Sequence, residues 1–141
     1  MHAGALRALE FDRIVEVIRG FAQTPQGDVR LGALRPEVEP RAVAAALAAT
    51  SETVRFLSDN HIGLQAPREL ETILEGIGVE GRPLEPLQLL ALANYLGSVE
   101  ATCSAVRRAR STFPILHVIA DRAASFEREI ADIRRKIDPG G

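Results

Sequence analysis

The stretch that decides the fold is Pro86-Leu87-Gln88-Leu89-Leu90-Ala91-Leu92-Ala93-Asn94-Tyr95-Leu96-Gly97-Ser98-Val99-Glu100-Ala101-Thr102-Cys103-Ser104-Ala105-Val106-Arg107-Arg108-Ala109-Arg110. Within it Leu89, Leu92, Leu96, Val99, Cys103 and Val106 are spaced 3, 4, 3, 4 and 3, a short heptad seam. Leu87, Leu90 and Ala91 widen that seam beyond a coiled-coil stripe, so the pattern predicts a long central bundle helix rather than a free zipper. Pro86 suits the first turn, where its missing N–H costs nothing. Arg107, Arg108 and Arg110 gather at the C-terminal end, where the helix dipole favours cations.

Outward from this helix, prolines divide the chain into further helical segments. Towards the N-terminus, the spacing predicts a helix over about Leu9 to Ala22, with Ile14, Ile18 and Phe21 on one face and Val17 beside them. Thr24 and Pro25 cap and start a short second helix, anchored by Leu31 and Leu34 and stopped by Pro36. Pro40 opens a third, through Val43, Leu47, Thr50, Val54 and Leu57, with alanines between them that allow close helix–helix approach. Asp59 to Pro67 reads as a loop. A fourth helix is expected from Arg68 to about Ile77, with Leu70, Ile73, Leu74 and Ile77 inward. Beyond Arg110, Pro114 opens an apolar helix through Ile115, Leu116, Val118 and Ile119. Ser125 is the expected cap of the last helix, which lines up Phe126, Ile130, Ile133 and Ile137 and pairs Asp132 with Lys136. No segment shows strand alternation. The expected fold is all-α: one domain over residues 1–141, a compact helical bundle with one long central helix.

Composition narrows the function classes. The chain has 141 residues, 46% of them hydrophobic and 26% charged, enough for a single aliphatic core. A net charge of −2 confines any basic surface to a local patch. With one cysteine, Cys103, there is no intrachain disulfide and no Cys-based zinc set. A reducing, cytoplasmic setting fits. The first twelve residues carry no signal-peptide pattern, and no uninterrupted apolar run has the length of a bilayer span, so no membrane partner is expected.

A search for chemistry finds little. Gly76-Ile77-Gly78-Val79-Glu80-Gly81 matches the bare GxGxxG string, but it follows a helix instead of a strand, which points to a helix-ending loop. His2, His61 and His117 lack metal-ligand spacing and read as exposed or helix-end residues. Cys103 lies on the apolar seam, as a buried small residue would. Glu69, Glu71, Glu127, Glu129 and Asp132 alternate with arginines as a solvated face does. No catalytic, cofactor or metal site is expected. The candidates for nucleic-acid contact are Arg107, Arg108 and Arg110, with Arg134-Arg135-Lys136 as a second basic run; no aromatic is interleaved for base stacking.

The phrases Leu9-Glu10-Phe11-Asp12-Arg13-Ile14, Ala22-Gln23-Thr24-Pro25-Gln26-Gly27 and Leu34-Arg35-Pro36 come in an order that resembles the N-terminal region of the MutS family, second bacterial type, here MutS-two. Thr50-Ser51-Glu52, Leu84-Glu85-Pro86 and Ile137-Asp138-Pro139-Gly140-Gly141 extend the resemblance along the chain. Glu85 departs from the hydroxyl-bearing cap usual there, and residues 59–68 match weakly. The resemblance implies the helical core region of a longer chain, cut before its lever helices. It implies a homodimeric parent that acts on DNA, or in some members on ribosomes. ATP and Mg belong to that parent's absent ATPase, and catalysis to the ATPase and a C-terminal Smr nuclease domain. This chain would be a non-catalytic scaffold. The alternatives are a stand-alone interaction domain self-associating through Leu89–Val106, and a small enzyme with a helical pocket.

Overall fold

Helix starts in this chain are set by proline and by carboxylates. The computed structural model describes Gly4 and residues 10–137. It contains α1 (Phe11–Arg19), α2 (Pro25–Gly32), α3 (Pro40–Asp59), α4 (Leu70–Ile77), α5 (Pro86–Arg108), α6 (Pro114–Asp121) and α7 (Glu127–Lys136), and no strand among the described residues. The all-α expectation holds, as does the one long helix. Helices α2, α3, α5 and α6 each carry proline in the first turn, where no N–H is wasted. Thr24 caps α2 as expected, its Oγ1 accepting the Gly27 N–H at 2.9 Å. Glu39 caps α3 by accepting the Arg41 and Ala42 N–H groups at 3.1 and 2.7 Å. At α5 the unusual Glu85 is served by Gln88, whose Oε1 accepts the Glu85 N–H at 3.1 Å.

Several boundaries and faces differ from expectation. Helix α2 ends at Gly32, not at Pro36; two glycines in its eight residues weaken it, and residues 34–39 run without regular structure. Helix α7 is not capped by Ser125. The Glu100 carboxylate reaches across from α5 and accepts the Phe126 N–H at 2.8 Å. Asp132 pairs with Arg135 at 2.7 Å rather than with Lys136. On α4, Leu70 and Ile73 are buried as expected, while Leu74 and Ile77 are exposed.

On α3 the apolar positions traced in the sequence are not the buried ones. Its buried residues are Glu52 and Phe56, whereas Leu47, Val54 and Leu57 face solvent. Nine residues separate Leu47 from Phe56, which places them about 180° apart around the helix. Helix α3 therefore carries two apolar stripes, and periodicity alone does not rank them. Phe56 decides, because its ring meets Phe113 edge-on with centroids 5.3 Å apart.

Helix α5 packs against α4, α6 and α7, while α3 packs on α6 and α1 on α2. The core is two clusters. Phe56, Val106, Phe113 and Ala120 form one, with Cys103 and Leu116 against them. Leu70, Ile73 and Leu92 form the other, with Leu84, Tyr95 and Leu96 against them. The expected seam of α5 is thus largely spent inside the fold. By length and a mean hydropathy of 1.2, α5 is the one described helix that reaches the character of a membrane span. The α1–α2 hairpin is closed by a bidentate Arg19–Asp28 pair at 2.8 and 2.9 Å. Gln23 ties it to the following loop: its amide donates to the Ile62 carbonyl at 2.9 Å and accepts the Leu64 N–H at 2.8 Å.

These contacts leave much apolar surface open. Ile14, Val17, Ile18 and Phe21 of the α1 region are exposed, Phe21 by 80%. The accessible surface is 10516 Å².

Candidate functional site

The basic end of α5 is where the expected site residues fall, and the fold separates them. After Arg108 the chain turns on the Ala109 carbonyl, which accepts the Thr112 and Phe113 N–H groups, both at 3.0 Å. Pro114 then starts α6. Arg107 points back into the fold. Its Nη2 donates to the Ala120 carbonyl at 2.7 Å, and its Nε lies 3.7 Å from Asp121 Oδ1. It therefore closes the C-terminal end of α6. Arg108 and Arg110 are exposed and make no ion pair or hydrogen bond among the described residues.

The other end of α6 is closed by a residue that sequence reasoning did not single out as a site. Glu52 of α3, only 3% exposed, accepts the Leu116 N–H through Oε1 at 2.8 Å. A buried carboxylate on a helix N-terminus meets both an orphan donor and the positive end of the dipole. The Thr50-Ser51-Glu52 step was the only signal for it. Glu100 plays the same part at α7. The Phe126 N–H, then the Ser125 hydroxyl, hold its carboxyl below the usual carboxylate range. In the hairpin, hydrogen bonding to the Arg19 guanidinium likewise lowers Asp28.

His117 departs from the expected exposed histidine. Its side chain is 13% exposed. Nε2 stands 3.0 Å from Asp121 Oδ2 but out of line, so neither ring nitrogen makes a hydrogen bond. Both nitrogens are buried, and the Asp121 carboxylate is the charged group beside the ring. Beside the ring lies an open cleft of about 520 Å³, lined by Arg108, Arg110, Ser111, Pro114, His117 and Val118.

The remaining candidates have structural placements. His2 lies outside the described residues, and His61 is exposed in the loop before α4. Burial pushes the Cys103 thiol up, away from the reactive thiolate. Of the GxGxxG glycines, Gly76 is buried within α4 against Leu84, Gly78 ends that helix, and Gly81 has φ +80, a left-handed turn. They close a helix and form a turn, as a helix-ending loop does. Glu69, Glu71, Glu127, Glu129 and Asp132 are exposed. No group of three or more His, Cys, Asp or Glu side chains among the described residues could hold a metal ion. In the second basic run, Arg134 reaches Asn94 Oδ1 at 3.5 Å and Arg135 is paired with Asp132.

No protein-family model matches the chain, and no solved structure matches it. Among curated proteins, one described as endonuclease MutS2 from Streptococcus gordonii is 29% identical over 97 residues. That alignment covers 68% of this chain and 12% of the relative, so the chain corresponds to a small part of the protein it is similar to.

Proposed function

We propose that this chain is a non-catalytic helical core region of a MutS-two-type DNA-processing protein, a scaffold between an ATPase and a DNA-binding clamp carried elsewhere in the parent. The observation that carries this reading is the open apolar surface of α1 and α3. Polar ends are well served, by Thr24, Glu39, Glu52 and Glu100, whereas Phe21, Leu47 and Val54 are left in solvent. Large apolar side chains left exposed along a helix mark a surface that something else covers. The similarity to the endonuclease MutS2 supports the rest of the parent chain as the cover. Self-association through Leu89–Val106 has less support, because Leu92, Leu96, Cys103 and Val106 already pack within the two core clusters.

The test is to express the chain alone and extended by the coding sequence that follows it. The extension is expected to slow amide exchange in residues 11–21 and 43–57, to raise the unfolding temperature, and to carry a phosphate-loop motif. The chain alone is expected to hydrolyse no ATP. A stop codon directly after Gly141, or an extension that leaves exchange in those segments unchanged, overturns the reading.

A further inference from the structure

We propose that the exposed stripe of α3 seats one further helix, apolar along its seam and uncharged on its flanks, supplied from elsewhere in the parent chain. The source of that helix rests on the MutS-two reading; its chemistry does not. Val43, Leu47, Thr50, Val54 and Leu57 are spaced 4, 3, 4 and 3, the heptad period by which one helix lies along another. The stripe is free, with Leu47, Val54 and Leu57 exposed by 62, 61 and 46%. Helix α3 packs on α6, and its buried residues Glu52 and Phe56 lie away from the stripe. From Val43 to Leu57 the stripe runs about 21 Å, matched by a helix of about 15 residues.

A surface helix ordinarily turns its charged side chains to solvent. The open face of α3 has none. Its charged residues, Arg41, Glu52, Arg55 and Asp59, all lie about 120° or more around the helix from the stripe. The flanks are instead Ala44, Ala46, Ser51 and Ser58. Such short side chains let a second backbone come within about 8 Å, the near end of helix packing. An ionised group on the occupant would lose its water there and find no partner. Helix α3 also needs the support. No side chain from 40 to 51 is buried, so three turns stand without tertiary packing, and a lone helix of that length is marginal in water. Seam and flanks together offer nine side chains. A stable interface between separate proteins uses roughly 20–30 residues a side. A segment of the same chain needs less, because linkage holds it at high effective concentration. That argues for the parent chain over a second copy, and the chain corresponds to only a small part of the protein it is similar to.

The test measures amide exchange in the chain alone and in the chain extended by the coding sequence that follows it, each with two single variants. The extension is expected to slow exchange in residues 43–57 about tenfold or more. Ala46→Arg, on the flank of the stripe, is expected to abolish that protection. Ala45→Arg, the adjacent exposed alanine on the far side of the helix, is expected to keep it. Neither variant is expected to change the unfolding temperature of the chain alone, because both positions are exposed. Protection that survives Ala46→Arg, or that Ala45→Arg removes equally, overturns the proposal. So does a dimer of the chain alone, seen by sedimentation and dissolved by Ala46→Arg, which makes a second copy the occupant. An extension that protects residues 11–21 but not 43–57 overturns the helix seat and leaves the MutS-two reading standing. A stop codon directly after Gly141 overturns that reading and removes the source of the helix with it.

Discussion

Glu52 is a single side chain that joins two helices: it belongs to α3, is buried, and satisfies the first turn of α6. Glu52→Ala removes the acceptor, orphans the Leu116 N–H and leaves a void beside Phe56. The expected loss is about 2–3 kcal/mol in urea unfolding, and Glu52→Gln, which keeps an acceptor oxygen, is expected to lose less. Glu100 and Asp28 set the acid limb of stability. Both carboxyls are held below their ordinary range in the folded chain. Their contribution is therefore present above the unfolded carboxylate pKa and is lost as pH falls through the lower folded values. Unfolding measured from neutral to acid pH is expected to show that loss, and Glu100→Gln is expected to flatten it. A slope unchanged in that variant would mean that the Phe126 contact contributes nothing.

At the scale of elements, α3 is the informative case because periodicity alone does not rank its two apolar stripes. If Phe56 and not Leu47 faces the core, the two positions must respond differently to substitution. Phe56→Ala is expected to cost about 3–5 kcal/mol, whereas Leu47→Ser is expected to stay within about 0.5 kcal/mol of the parent. The reverse order in a thermal or urea series would put the Leu47 stripe in the core. The helix ends follow the opposite pattern. The caps Thr24-Pro25 and Pro40 were legible because they act within one turn. The caps from Glu52 and Glu100 were not, since each lies far along the chain from the helix it closes: 64 residues for Leu116 and 26 for Phe126.

For the whole molecule, the exposed apolar side chains have a measurable consequence. The isolated chain is expected to bind an apolar fluorescent dye and to self-associate weakly at high concentration. Phe21→Ser with Leu57→Ser is expected to reduce both without lowering the unfolding temperature, because both side chains are exposed. Unchanged dye binding would place the sticky surface elsewhere. The fold separates the three candidate arginines. Arg107, Arg108 and Arg110 stand together in the chain, but Arg107 turns inward to the Ala120 carbonyl and the other two stay at the surface. His117 was not distinguished from the other histidines, because its burial is a property of its surroundings.

The sequence by itself determined the all-α class, the long helix after Pro86 and the proline-led helix starts, since these depend on backbone chemistry and spacing within a few residues. The tertiary structure decided which stripe of α3 is buried, which arginine is spent inside the fold, and which carboxylates close α6 and α7. Those outcomes depend on groups brought together from distant parts of the chain, and several faces of similar apolarity compete for the same limited core. Phe56 against Phe113 settles that competition on α3 and leaves Leu47, Val54 and Leu57 outside.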